Sequence, residues 1–258
     1  MALPVAASWS LAPLVEQRAH DDPNCVLATD GEKTWTFKQV DANASALAAA
    51  FSELGLGAGD RLAVNLPNGV EWIIATLAAA KLGAVLVPVS PQLGVHDLRY
   101  QLRHAEVSAV VTIERWNGVD FLQRFEELLG DLPDLQYVVT VGEEDLWYDD
   151  RIFAFEDLVS SGAAKAAPRP DVSNDDGDLA VVYTSGTMGK PKGVQLSHRA
   201  LVENAVRTSQ LLALSSEDRV LTAIPFSAVF GFSAMLGAMA TGATLVLQPT
   251  FDGRVRSH

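Results

Sequence analysis

The chain has 258 residues, 48% of them hydrophobic, a formal net charge of −13 from 32 acidic and 19 basic side chains, and one cysteine. That length suits one large domain or two modest ones around a substantial core, and the composition excludes overall disorder and fibrous or low-complexity architectures. Nucleic acid is disfavoured as a partner, because displacing counterions from phosphates needs clustered Lys and Arg, and no such patch occurs in so acidic a chain.

A lone Cys25 excludes an intramolecular disulfide framework and a multi-cysteine zinc site, and fits a reducing compartment. It reads as a core residue. The N-terminus lacks the basic start and continuous apolar run of a secretory signal, so a cytoplasmic location is the expectation.

Leu11, Leu14, Val15 and Arg18 predict a short amphipathic helix after Ser10. Residues 25–28 and 34–37, separated by Asp30-Gly31, predict a hairpin. Thr36 and Gln39 form a capping box for a helix that presents Val40, Ala44, Leu47, Phe51 and Leu54 on one face and stops at Gly55. Strand 61–66, helix 70–82 ending at Gly83, and strand 84–89 follow. The alternation continues with helix 97–104, strand 109–113, helix 120–129 and strand 137–141. Repeated strand–helix units of this size imply right-handed crossovers and a mostly parallel sheet flanked by helices, so the fold class is α/β.

Residues 143–178 interrupt that rhythm with acidic and Pro-rich stretches and read as a solvated surface connection. Their carboxylates do not form a calcium loop, which needs a spaced Asp-x-Asp-x-Asp-Gly pattern with a distant Glu. The stretch 220–251 carries no charged residue up to Phe251 and is long enough to raise a membrane span. Pro225, Gly231, Gly237 and Gly242, with interspersed Ser and Thr, instead divide it into a buried strand, helix and strand, and no transmembrane segment is expected. The five histidines show no pairing at metal-ligand spacing.

The segment with chemical content follows the apolar run 179–183. Thr184-Ser-Gly-Thr-Met-Gly-Lys-Pro-Lys-Gly193 combines three glycines, three hydroxyls and two lysines. Glycines allow backbone N–H groups to approach a ligand closely, and N–H groups converging beside hydroxyls and an ammonium suit a polyphosphate. Lys190 and Lys192 are the only lysines after Lys165. A Walker A loop needs Gly-Lys followed by Ser or Thr and a helix; here Pro191 follows Lys190, and Val194-Gln195-Leu196 alternates like a strand. The loop is therefore expected at a hairpin.

The string Tyr183-Thr-Ser-Gly-Thr-Met-Gly-Lys-Pro-Lys-Gly-Val194 closely resembles the signature of the adenylate-forming enzymes, which comprise AMP-forming acyl-CoA synthetases, their luciferase relatives and peptide-synthetase adenylation domains. Gly59-Asp60-Arg61-Leu62-Ala63 through Leu66-Pro67-Asn68, Ala79 through Val89, and Ser197-His-Arg-Ala-Leu201 agree with that family in order and spacing. The resemblance extends from Leu11 to about Asp252.

The resemblance implies activation of a carboxylic acid by ATP to an acyl-adenylate with release of pyrophosphate, then transfer to coenzyme A, with Mg²⁺ on the nucleotide. It assigns Thr184, Ser185, Gly186, Thr187, Gly189 and Lys192 to the β- and γ-phosphates. Met188 stands where a threonine is usual; without an O–H donor one charge-assisted bond of about 1.5–3 kcal/mol is lost. In Ile224-Pro-Phe-Ser-Ala-Val-Phe-Gly231, Ala228 takes the position of a usual histidine. Val229 takes that of the aspartate with which adenylation domains hold a substrate ammonium. An amino-acid substrate would thus bury an unpaired charge, which costs several kcal/mol. Phe230 and Gly231 would border a pocket for a fatty or aryl acid.

The expected organisation is a first α/β subdomain at 1–178, and a phosphate-loop hairpin with the start of a second subdomain at 179–258. By the resemblance, the segment that contacts adenine and ribose and the mobile C-terminal domain of the family are expected to fall outside these 258 residues. The chain reads as the N-terminal half of an AMP-forming acyl-CoA synthetase, without full turnover alone. Two alternatives stay open: a non-catalytic half-enzyme that binds nucleotide, self-associates or pairs with a separate C-terminal half, and a peptide-synthetase-type adenylation domain.

Overall fold

A computed structural model describes residues 9–142, 150–165, 175–184 and 190–248. Helix α1 (Leu11–Asp21) precedes the antiparallel pair β1 (Val26–Thr29) and β2 (Thr34–Thr36). Helix α2 (Phe37–Glu53) starts at the capping box, with both reciprocal bonds of Thr36 and Gln39 in place, and the chain leaves it through Gly55 at φ +89°. Strand β3 (Arg61–Asn65), α3 (Val70–Leu82) and β4 (Val85–Pro88) follow, with Gly83 in the left-handed region as the C-cap of α3. Next come α4 (Val95–His104), β5 (Ala109–Ile113), the small hairpin β6 (Arg115–Trp116) and β7 (Val119–Asp120), α5 (Phe121–Leu128) and β8 (Tyr137–Val141). The elements after that are β9 (Ile152–Ala154), α6 (Phe155–Gly162), β10 (Asp178–Thr184), β11 (Lys192–Ser197), α7 (His198–Leu211), β12 (Arg219–Leu221), α8 (Val229–Thr241) and β13 (Thr244–Val246).

The strands form two principal sheets. One has seven strands in the order β11-β10-β4-β3-β5-β8-β9, parallel except for the β10–β11 pair. The other has four, β12-β13-β1-β2, parallel except for the β1–β2 pair. Both sheets draw strands from each side of residue 178.

Side-chain alternation assigns the two faces of the large sheet. Leu62, Val64, Val111, Val139 and Val182 point into a core shared with Leu27 and Leu245 of the small sheet and with α2, α3, α7 and α8. Ala63, Val87, Val110, Val138 and Val181 point the other way, onto Leu98 and Leu102 of α4 and Phe125 and Leu128 of α5. Helix α3 is buried along nearly its whole length and α8 from Met235 to its end, as expected for helices apolar on every side. The single charge buried in α3 is Lys81; it pairs with Glu16 of α1 and, at 2.8 Å, with Asp41 of α2.

Three sequence expectations need correction. Residues 152–162, within the stretch read as a surface connection, form β9 and α6, because Phe155 and Leu158 recur at helical spacing and are buried. The acidic flanks hid that short pattern. The hairpin of β6 and β7 was not anticipated, although Asn117-Gly118, with φ values of 49° and 77°, is a strong turn signal. Finally, the uncharged stretch is a strand, helix and strand but not wholly buried: Leu221, Ile224, Val229 and Phe230 are exposed. Cys25 lies at the margin of the core, its thiol donating to the Gly242 carbonyl at 3.5 Å. No helix among the described residues is long and apolar enough to cross a membrane.

Candidate functional site

Strands β3, β4 and β5 run parallel, and β10 runs parallel to β4 through the Ala180–Leu86 register. Their carboxyl ends therefore share one edge, where open parallel sheets place ligand crevices. A cavity of about 360 Å³ lies there. Leu66, Pro67 and Asn68 after β3, Ser90, Pro91 and Gln92 after β4, and Trp116 and Asn117 after β5 form one wall. Ala223 and Pro225 after β12 and Gln248 after β13 form the other. Among the described residues the lining contains amides, a hydroxyl, prolines and an indole and no charged side chain, which suits the uncharged body of a small molecule.

Buried Asn68 joins the two walls. Its Nδ2 donates to the Thr222 carbonyl at 2.8 Å and to the Ile224 carbonyl at 3.0 Å, while its Oδ1 accepts from the Phe226 amide at 2.8 Å. Trp72 packs under the same segment, with ring centroids 5.4 Å from Phe226 and 5.6 Å from Phe232. Gly231 is buried, and a Cβ there would overlap the Pro225 carbonyl, so the close approach requires glycine. Ala228 is the N-cap of α8, and Ala228, Val229 and Phe230 are exposed at its first turn; none of residues 228–231 lines the cavity.

The phosphate-loop candidates sit at the end of β10. Strands β10 and β11 are antiparallel, with Thr184 directly opposite Lys192. Both are exposed, and no charged partner occupies Lys192 among the described residues. A returning strand, not a helix, follows the turn, which excludes a Walker A loop. Ser185, Gly186, Thr187, Met188 and Gly189 lie outside the described residues. Thr184 and Lys192 offer a hydroxyl and an ammonium together at the carboxyl edge, a donor set that fits a polyphosphate. No group of three His, Cys, Asp or Glu side chains among the described residues is placed to hold a metal by itself; Mg²⁺ carried on a nucleotide is held chiefly by phosphate oxygens and water and does not need such a cluster.

Sequence reasoning missed most of the cavity wall. Trp116 and Asn117 were reachable through the Asn117-Gly118 turn signal. Ser90, Gln92 and Gln248 carry no pattern of their own, and only the convergence of strand ends selects them.

The model of the family described as AMP-binding enzyme matches residues 15–257. The chain belongs to the AMP-binding enzymes. Among curated relatives of this family, the putative acyl-CoA synthetase YngI of Bacillus subtilis is 28% identical over 94% of the chain and 47% of its own length. The 4-coumarate–CoA ligase 2 of Oryza sativa subsp. japonica is 30% identical over 90% of the chain and 42% of its own length. The medium-chain-fatty-acid–CoA ligase of Ectopseudomonas oleovorans is 31% identical over 87% of the chain and 41% of its own length. The fold is that of the anthranilate CoA ligase AuaEII, solved with anthranoyl-AMP: the TM-score is 0.84 at 23% identity, over 97% of this chain and 47% of that one. This AMP-binding chain thus spans about half the length of the curated relatives it matches, and corresponds to their N-terminal half.

Proposed function

We propose that the chain supplies the phosphate-binding hairpin and part of the acid-binding crevice of an AMP-forming acid–CoA ligase. One observation carries this reading: Thr184 and Lys192 face each other at the same carboxyl edge as an uncharged cavity bordered by both sheets. A polyphosphate at the hairpin and a carboxylic acid in the crevice would meet there. In the reaction of the family, the acid's carboxylate oxygen attacks the α-phosphate of ATP and pyrophosphate leaves; the thiol of coenzyme A then loses its proton and takes the acyl group from the adenylate, and AMP leaves. The chain's own contribution is positioning and charge neutralisation. Thr184 and the hydroxyls and amides of residues 185–189 would orient the phosphates, and Lys192 would offset their developing charge. The uncharged lining favours a fatty or aryl acid; Val229 lies outside that lining, and by resemblance it stands where adenylation domains carry the aspartate for an ammonium, which supports the same class of acid. Coenzyme A as acceptor and a cytoplasmic location belong to the same reading, as does the division of the chain near residue 178.

Calorimetry with Mg·ATP tests it. Weak binding is expected, reduced about tenfold by Lys192→Ala or Thr187→Ala, the loss of one charge-assisted bond. No binding at millimolar nucleotide, or binding indifferent to both changes, overturns the loop assignment. Pyrophosphate exchange on the whole gene product, driven only by amino acids, would overturn the reading of Val229.

A second reading, an interaction half-enzyme, is favoured by the exposed apolar groups. Strand β12 is an edge of the small sheet with Leu221 58% exposed, and Phe230 is 67% exposed at the start of α8. Sedimentation that stays monomeric across concentration counts against it.

A further inference from the structure

The seven-stranded sheet carries a second concavity on its outer face. It has a volume of about 300 Å³ and is lined by His96, Arg99, Tyr100, Arg103 and His104 of α4 and by Lys190 from the β10–β11 turn. It shares no lining residue with the carboxyl-edge crevice. Positions 96, 99, 100, 103 and 104 recur at helical spacing on one face of α4, while Leu98, Gln101 and Leu102 on the other face are buried against the sheet. Five of the six lining side chains are basic, in a chain of net charge −13.

Carboxylates compensate only part of this group. Asp97 lies 3.3 Å from His96 Nδ1, and Asp131 lies 3.0 Å from Arg99 Nε. Arg103 and Lys190 have no carboxylate partner among the described residues.

Hydrogen bonds bring the turn to the helix. The Tyr100 hydroxyl donates to the Pro191 carbonyl at 3.1 Å, and Lys190 Nζ stands 5.3 Å from the Tyr100 ring centroid. Tyr183 points to the same side of β10. Its hydroxyl donates to the Gln101 carbonyl at 3.2 Å and lies 2.7 Å from His104 Nδ1. Burial pushes the Tyr183 pKa up to about 12, so the phenol keeps its proton and this anchor is uncharged. The anchor engages Nδ1 of His104 and leaves Nε2 for a ligand.

We propose that this concavity is a binding site for a phosphate-bearing anion, separate from the carboxyl-edge crevice and independent of the ligase reading. Two guanidinium forks, an ammonium and imidazole nitrogens around one small volume match the several oxygens and multiple charge of a phosphate group better than the single charge of a carboxylate. The volume lies at the lower end of small-molecule sites and accommodates a phosphate or pyrophosphate head group. The source of that group is either a free inorganic anion or an ester on a larger molecule.

Inorganic pyrophosphate, glycerol phosphate and acetate, titrated separately into the full chain at fixed ionic strength and followed by amide NMR and calorimetry, test the proposal. At least one phosphate probe is expected to shift the amides of α4 around Tyr100 and Arg103, and acetate is not. Arg103→Gln and Lys190→Gln should each weaken that binding about tenfold, the equivalent of one charge-assisted bond, while Lys192→Ala leaves it unchanged. Arg103 is exposed, so its variant should melt like the parent and a lost affinity will not reflect unfolding. Tighter binding of pyrophosphate identifies a free inorganic anion, and tighter binding of glycerol phosphate identifies an ester. Shifts confined to the hairpin, equal binding of acetate, or indifference to Arg103→Gln and Lys190→Gln would overturn the site. Lys192→Ala separates the two readings, because it should weaken ATP and not the probes at α4.

Discussion

Nδ1 of His198 accepts a hydrogen bond from the amide of Leu11 at 3.2 Å, across 187 residues of sequence. The contact ties the first turn of α7 to the first turn of α1, and Ser10 reinforces it by donating to Asp175 at 2.9 Å. An accepting Nδ1 needs an unprotonated nitrogen. Burial pushes the His198 pKa below the ordinary imidazole value, with nearby Asp175 opposing the shift. Because the unfolded chain binds this proton more readily, the contribution is complete above the ordinary imidazole value and is lost as pH falls through the lowered folded value. Urea midpoints between about pH 5 and 8 should show stability declining toward acid, and His198→Asn should flatten that part of the profile. An unchanged slope in the variant would remove His198 from the account.

Asn68 satisfies three buried backbone groups at once. Asn68→Ala leaves two carbonyls and an amide without their partner, and a loss of about 3 kcal/mol or more is expected from chemical denaturation. The crevice should suffer in step, because the segment 222–226 that it holds forms one wall. A variant with parental stability would show that water or a shifted backbone replaces all three bonds.

Gly231 and Phe230 are neighbours with opposite expectations. Gly231→Ala drives a Cβ into the Pro225 carbonyl, a backbone atom that cannot turn aside, so the melting temperature should fall by several degrees. Phe230→Ala, at an exposed ring, should change stability by less than about 0.5 kcal/mol and act only on ligand binding or self-association. Equal melting temperatures for the two variants would contradict the packing described here.

The buried Lys81 has two unequal partners: the Asp41 side chain is 22% exposed and that of Glu16 is 54% exposed. Solvent screens the outer pair more. Asp41→Asn is expected to cost about 1–3 kcal/mol in denaturant titrations and Glu16→Gln less than about 1 kcal/mol. The reverse order would mean that Glu16 provides most of the compensation for Lys81.

Local signals were legible wherever a short-range rule controlled the outcome. The capping box at Thr36 and Gln39, the C-terminal glycines 55 and 83, and the alternation of strands and helices up to residue 141 all appear as expected. So does the antiparallel return after Thr184, which Pro191 and the alternation at residues 194–196 announced. Helix α6 and the β6–β7 hairpin were missed because each signal spans few residues and lies beside a polar stretch.

The amino-acid sequence by itself determined the α/β class and the string at residues 183–194 that carries the family resemblance, because both rest on local spacing and residue chemistry. Only the tertiary structure decided which strands share an edge. Parallel pairing joins segments far apart in the chain: β10 reaches β4 and β1 reaches β13, and no local pattern encodes those partners. That pairing brings Asn68 to Thr222 and Gln248 to Ser90 in one crevice. It also lays Lys190 beside Arg103 on the outer face, which turns an isolated lysine of an acidic chain into part of a basic pocket.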